Sequence, residues 1–424
     1  MTPRSEHPTV GALHERPLDV TARDKLEIAA YQAEVLALIT PDSRQERVAL
    51  RTATGRVLAE SLHSAVSLPG FANSAMDGFA VRFADLAGSG MQLRVVADIP
   101  AGSSQDPAAG PGECVRIMTG AAVPSFADTV IPVEDVDQLS PTLIAVRVVP
   151  QQAGRHVRGI GEDVGAGDLL GQAGDTVDST LIGALAATGV TEVPVRPRPV
   201  IAVCATGDEL VWDGSALERG QLYESNSAAL AAALAADGAE VRWRQPLPDR
   251  AADLTAWLDE VASGSDLVVL TGGASVGAYD VVHEVLAGRA AGVFRRVNMR
   301  PGKPQGWARW PHGSAVLALP GNPVAAALSY RLFVRPLLNK RLGRPERPAV
   351  MARAAAGWTT HGPRTVLVPV TTSVSDSAVL EVRPTRSVVG SHLTSSLVGA
   401  DAFAIIPGHI DEVAPGELVE IRWL

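Results

Sequence analysis

The chain is poor in cysteine: Cys114 and Cys204 are its only two in 424 residues. Two thiols allow one bridge at most, so no disulfide framework follows. The nine histidines do not pair with them at the spacing of a zinc site. Cys204 falls in the apolar run 199–205 and Cys114 in another short apolar stretch. Both read as buried packing in a reducing compartment. Aromatic residues make up only 4%, so Ala, Val and Leu must fill the interior. The 46% hydrophobic content suffices for a sizeable core and argues against disorder of the whole chain. A basic excess is also missing. The net charge of −9 excludes broad, sequence-independent binding to nucleic acid, although a few local Arg and Lys residues can still hold a small anion. No hydrophobic run is long enough for a membrane span, the longest helical apolar stretch being 228–236. Residues 1–20 are polar, carry Pro3, Pro8 and Pro17, and lack the apolar core of a signal peptide. They read as a mobile tail on a cytoplasmic protein. No Gly-Lys-Ser/Thr follows a strand, and there is no serine nucleophile elbow.

The length suggests two to four domains, and the pattern along the chain changes accordingly. An apolar stripe predicts a helix over 22–40, stopped by Pro41, and a second helix is expected over 55–61. Between 66 and 158, short β-like runs alternate with Gly, Pro and Ser clusters, which predicts a small β-rich domain. A helix is expected from Ser179 to Thr188, with Gly189 as its stop. Residues 159–196 return to mixed structure. Beyond the linker Arg196-Pro-Arg-Pro199, strand and helix alternate through 197–341, closing on one helix over 323–338. That alternation predicts a three-layer α/β domain with a mostly parallel sheet. Residues 346–424 read as a C-terminal β-domain.

In an open parallel sheet, ligands bind beyond the carboxyl ends of the strands. Four Gly-containing loops fall there: Thr206-Gly207-Asp208-Glu209, Thr271-Gly272-Gly273-Ala-Ser275-Val-Gly277 with Asp280, Arg300-Pro-Gly302-Lys303-Pro304, and Pro320-Gly-Asn322-Pro323. Each also reads as plain turn chemistry, with Asn322 as the N-cap of a helix. Four together, mixing carboxylates with cations, form an anion cradle of backbone N–H groups and helix N-termini. Glu209 and Asp280 offer the carboxylate oxygens that a hard cation such as Mg²⁺ takes. Arg300 and Lys303 offer charge to neutralise a phosphate. Two further clusters stand out: Asn73-Ser74-Ala-Met-Asp77-Gly78, and Arg116-Ile-Met-Thr119-Gly120 with Arg155-His-Val-Arg158-Gly-Ile-Gly161-Glu162-Asp163. Arg158 reads equally as an anion contact or as the partner of Glu162 and Asp163 in an ion pair.

In this order, and with Ser225-Asn226 between them, these segments resemble the MoeA family of molybdopterin molybdenumtransferases, to which the gephyrin E domain is related. The resemblance spans about 22–410. It implies that 21–65 and 159–196 form one elongated mixed domain into which the β-rich domain 66–158 is inserted, and a homodimer whose active site lies between the α/β domain of one subunit and the inserted domain of the other. It implies insertion of molybdate into adenylated molybdopterin, with Mg²⁺ assisting and AMP leaving. Asp77, Glu209 and Asp280 would then organise metal and water, with Lys303 among the catalytic groups. Asn73, Ser74, Thr119, Arg158, Asp163, Thr206, Gly207, Asp208, Gly272, Gly273, Ser275, Arg300, Gly302, Pro320, Asn322 and Pro323 would contact substrate. Other cofactor-synthesis proteins and molybdoenzymes would be its partners. Several positions depart from the family pattern: Ala72 for Asp, Phe79 for Tyr, Arg300 for Lys, Ala325 for Ser, and Arg250 for the second of two Asp residues after Pro248. A non-catalytic molybdopterin-binding or scaffolding paralogue is the competing reading.

Overall fold

The computed structural model describes residues 25–272, 281–311, 313–385 and 394–424. They divide into two compact units. One comprises the described part of Met1–Ile39 with Pro199–Leu338 and Arg347–Leu424; the other comprises Thr40–Arg198 with Asn339–Glu346. Among the described residues no helix is long and apolar enough to cross a membrane.

In the second unit a six-stranded sheet runs in the order Thr129–Pro132, Gly78–Val81, Glu113–Ile117, Gln92–Ile99, Leu143–Val146, Val136–Ser140. Its two faces bury different sets. Phe79, Val81, Leu93, Cys114, Ile131 and Ile144 pack on one, and Ala80, Ile99, Val115, Ile117 and Val130 on the other. Adjacent residues part to opposite faces, as the strand period requires. Elsewhere in this unit Ser179–Ala187 is helical. Asp178 caps it by accepting the Leu181 N–H. At its end the Gly189 N–H reaches Ala186 O and the Val190 N–H reaches Leu185 O, with Gly189 at φ +81°. This paired closure needs a left-handed residue, which glycine supplies.

The expected helix over 55–61 does not form. Gly55 turns at φ +74°, and Val57 and Leu58 bridge in extended form to Thr176 and Val195. Their β-branched and apolar side chains bury better against those strands than on one turn of helix.

The first unit carries a second six-stranded sheet, in the order Glu240–Trp243, Val200–Ala205, Leu267–Thr271, Ala315–Leu319, Pro304–Arg309, Val293–Arg296. The first four strands are parallel and the last two pair antiparallel, so the sheet is mixed. Pro304–Arg309 is the strand that the sequence hides, since Pro304 and Gly306 look like loop residues. Proline is tolerated because it is the strand's first residue. Gly306 is required, because a Cβ there would lie 2.7 Å from the Phe294 ring.

The helix expected over 323–338 is interrupted. Pro323–Ser329 is α-helical, Tyr330–Val334 widens into a π turn, and Arg335–Leu342 resumes the helix. Pro336 brings no N–H for the Leu332 carbonyl, and its ring crowds that carbonyl. The freed oxygen accepts Gln32 Nε2 at 2.9 Å from the helix Ile28–Leu36. That helix is shorter than the stripe over 22–40 suggests. The C-terminal part forms a third six-stranded sheet around Val368, Val370, Phe403, Ala404 and Ile421.

Candidate functional site

In the second unit the residues 73–74 form the meeting point of three segments. Asn73 and Ser74 pair with Arg158 and Val157. Ser74 also exchanges backbone hydrogen bonds with 120–121, its N–H reaching Ala121 O at 3.0 Å and its carbonyl accepting Gly120 N–H at 2.8 Å. The Ser74 hydroxyl turns inward to Met76 O at 2.5 Å. This lock aims Asp77 at Thr119: both the N–H and the hydroxyl of Thr119 donate to Asp77 Oδ1, each over 2.7 Å. The backbone bond first, then the side-chain bond, hold the exposed Asp77 carboxyl below the usual aspartate range. Gly78 follows necessarily, because a Cβ there would meet Ile131 O at 2.1 Å.

Asp77, Thr119, Asn73, Ser74 and Arg158, more than eighty residues apart at the extremes, are thereby gathered in one place. Asp163 is close in chain and holds its own turn through its N–H to Leu68 O. Arg158 is exposed and makes no ion pair among the described residues; Glu162 Oε2 instead accepts the Gly159 N–H at 2.8 Å. Of the two readings of Arg158, the ion pair with Glu162 and Asp163 is not made among the described residues, and the Glu162 carboxylate is taken by the turn's own backbone.

In the first unit the carboxyl ends of the parallel strands bring three loops together. Thr206 N–H donates to Thr271 O at 3.0 Å, and Gly207 N–H to Leu247 O at 3.1 Å. Gly272, at φ +89°, leaves no room for a Cβ, which would lie 2.6 Å from Thr206 O. A Cβ on Gly321 would touch Gly272 Cα at 3.4 Å. Asn226 Nδ2 anchors this last loop through Gly321 O at 2.7 Å. Pro320 is buried and Pro323 opens the helix. Asn322 stands at the N-cap position without a side-chain capping bond.

The carboxylates of this edge crowd one another. Glu209 folds back so that its Oε2 lies 2.6 Å from where a Gly207 Cβ would sit. Asp208 Oδ1 accepts the Asp249 N–H at 3.2 Å. Burial first, then the charges of Asp208 and Glu209, push the Asp249 carboxyl above the usual range. Asp249 is the site residue that the loop motifs alone do not single out. It is brought in because 244–249 continues beside the first strand, with Leu247 N–H on Ala205 O. Arg250 has no part in this cluster: it leads the helix Ala251–Ala262 and lies 3.7 Å from Asp253.

The cationic loop 300–303 sits at the same end of the sheet, since it joins the end of Val293–Arg296 to the start of Pro304–Arg309. Gly302, at φ +102°, is fixed by the wholly buried Gln305, whose Nε2 donates to Gly302 O at 2.8 Å and Ser329 Oγ at 2.7 Å. Arg300 Nη1 donates to His361 O at 3.1 Å, and Lys303 is half-buried. Gly273, Ser275 and Asp280 lie outside the described residues.

Three family matches tile the chain. Residues 24–189 match the MoeA N-terminal region (domains I and II), 202–340 a probable molybdopterin binding domain, and 351–424 the MoeA C-terminal region (domain IV). The chain is 38% identical over 401 residues to molybdopterin molybdenumtransferase 2 of Mycobacterium tuberculosis H37Rv, covering 91% of this chain and 97% of that one. It is 38% identical over 308 residues to molybdopterin molybdenumtransferase of a Nostoc species, covering 70% of each. Among solved structures, a molybdopterin biosynthesis MoeA protein from Pyrococcus horikosii superposes with TM-score 0.76 at 29% identity, covering 94% of this chain and 99% of that one.

Proposed function

The chain belongs to the MoeA family, and we propose from that premise that it is the transferase that inserts molybdate into adenylated molybdopterin, releasing AMP and forming molybdenum cofactor. The observation that carries this reading is the carboxyl edge of the mixed sheet. There, side-chain-free backbone at Gly207, Gly272 and Gly321 lies beside the carboxylates Asp208, Glu209 and Asp249, with the cations Arg300 and Lys303 at the same edge. The glycines leave space for a phosphate to approach backbone N–H groups. Arg300 and Lys303 offset the charge that grows on the departing phosphate as the phosphoanhydride breaks.

The donor set fits Mg²⁺. No three His, Cys, Asp or Glu among the described residues are grouped as a self-sufficient metal cage. Mg²⁺ does not require one: it takes one or two carboxylates and completes its shell with water and substrate phosphate. Burial first, and then the charges of Asp208 and Glu209, raise the Asp249 carboxyl, and the second of these is what such a cation relieves. Glu209, Asp280 and Asp77 would hold it. When bound, it withdraws charge from the phosphate oxygens. Thr119, Arg158, Asp163 and Ser275 then serve substrate oxyanions, Asn73 and Ser74 shape the loop that presents Asp77, and Thr206, Gly273, Pro320, Asn322 and Pro323 line the phosphate approach.

The two groups of residues belong to a composite site made by two copies, the 66–158 domain of one serving the 197–341 domain of the other. The remaining parts are 21–65 with 159–196 as an elongated domain and 346–424 as a β-domain. Three layers for the 197–341 domain are supported by the packing of Ala202, Cys204, Val268 and Leu270 with the helix Ala251–Ala262, and by the contacts of Asn226–Ala236 with Val200–Ala205 and of Pro323–Ser329 with Ala315–Leu319. The cytoplasm, with its reduced thiols, suits this chemistry.

Purified protein incubated with adenylated molybdopterin, Mg²⁺ and molybdate should release AMP in proportion to cofactor formed. Tight binding of the substrate with no AMP released would instead favour a carrier or scaffold.

A further inference from the structure

One buried amide joins the cationic loop to the helix that follows 320–323. Gln305 is the second residue of the strand Pro304–Arg309 and is 0% exposed. Both N–H bonds of its Nε2 are used: one reaches Gly302 O at 2.8 Å, the other Ser329 Oγ at 2.7 Å. Gly302 lies in the cationic loop, one residue before Lys303. Ser329 is also wholly buried and ends the helix that Pro323 opens. The same group thus ties both segments together.

The ends of the loop are held by other groups. Arg300 Nη1 donates to His361 O at 3.1 Å, and Lys303 O accepts the Val297 N–H at 2.8 Å. Between them Gly302 turns at φ +102°, and a Cβ there would lie 2.8 Å from Met299 Cε. Gln305 therefore holds the middle of the loop by its carbonyl. Packing alone does not select glutamine at this place. Its Oε1 is buried with no hydrogen-bond partner, a cost that leucine of similar size avoids. What glutamine supplies and leucine cannot is the two-pronged donor. Lys303, next to the carbonyl so held, is half-buried and makes no ion pair among the described residues. Its charge is thus left for a group from outside.

We propose that Gln305 is a positioning residue for Lys303. It touches no substrate. It sets where the Lys303 ammonium stands relative to 320–323, through Gly302 on one side and Ser329 on the other. This rests on the functional reading above and adds to it which residue aims the cation. A charge that stabilises the departing phosphate acts on the transition state, so misplacing it costs turnover rather than binding. A merely structural role has no such preference and no special link to Lys303.

The test uses the full chain with adenylated molybdopterin, molybdate and Mg²⁺, and reads kcat and KM from AMP release. Parent, Gln305→Leu, Ser329→Ala and Lys303→Ala are compared, with Lys303→Ala also combined with each of the first two. Gln305→Leu should lower kcat roughly ten- to hundredfold, the scale of a displacement of about 1 Å, with KM near the parent's. Ser329→Ala should act in the same direction and by less. Lys303→Ala should lower kcat in the parent and cost clearly less in the other two backgrounds, because a lysine already out of place has less to lose. Additive effects overturn the proposal and leave Gln305 to the fold alone. Parent turnover in Gln305→Leu or in Lys303→Ala overturns it also. If Gln305→Leu does not fold, the cycle of Ser329→Ala with Lys303→Ala decides by the same criterion. A parent that releases no AMP sinks the functional reading first, and this proposal with it, and no variant is needed to see that.

Discussion

Thr119 donates its backbone N–H and its hydroxyl to the same oxygen of Asp77, each across 2.7 Å. The two bonds stabilise the charged carboxylate, so its pKa lies below the ordinary value. Asp77 is therefore ionised through the weakly acid range. Thr119→Val removes the side-chain bond and brings the pKa back towards the ordinary one. If Asp77 must be ionised for turnover, the acid limb of the kcat/KM profile should move to higher pH in this variant. A limb that does not move would mean that some other group sets it.

Gly78 and Gly189 separate two reasons for glycine. At Gly78 a Cβ would lie 2.1 Å from Ile131 O, whereas at Gly189 nothing stands within 4 Å and only the φ of +81° is unfavourable. Gly189→Ala should cost about 1 kcal/mol, the strain of one left-handed residue. Gly78→Ala should cost about 1–3 kcal/mol as the two strands are pushed apart. It should also lower turnover, because Asp77 moves with them. Urea melts of both variants give the comparison.

Asp42 is 7% exposed and accepts from Arg44 over 2.6 Å and Arg341 over 3.1 Å. The Arg44 side-chain hydrogen bond is the main cause of its lowered pKa. A carboxyl whose pKa is lower folded than unfolded stabilises the fold above the unfolded value, and that contribution is lost as pH falls through the folded one. Asp42→Asn should therefore cost on the order of 2 kcal/mol at neutral pH. Parent and variant should converge in urea stability on acidification. A difference that persists unchanged at low pH would assign the effect to packing.

Burial pushes the thiols of Cys114 and Cys204 up to about 12. Only the thiolate is a nucleophile. Neither cysteine should react with a disulfide reagent in the native protein, and both should react once it is unfolded. Rapid labelling of the native chain would contradict the buried environment.

The α/β pattern was legible because its strands are continuous apolar runs and its helices are bounded by Pro and Gly. Val200–Ala205, Asn226–Ala236, Ala251–Ala262 and Ala315–Leu319 are strands and helices of the alternation read over 197–341. Pro304–Arg309 was not legible, because a strand opening with proline and carrying a glycine looks like a loop until its neighbours are known. The π turn at Tyr330–Val334 was equally hidden, since Gln32 compensates for Pro336 from three hundred residues away. The site loops stood out by residue type, but Asp249 did not. A lone Asp before a helix is ordinary, and only its neighbours give it a role.

The most direct test of the proposed site mixes two inactive variants. Asp77→Ala and Glu209→Ala, each purified alone, should release little AMP from adenylated molybdopterin with Mg²⁺ and molybdate. After mixing and subunit exchange, activity should return in part, because an exchanged pair carries one site with both carboxylates intact. Parent activity that is lost in each variant and stays lost in the exchanged mixture would contradict a site shared between two copies.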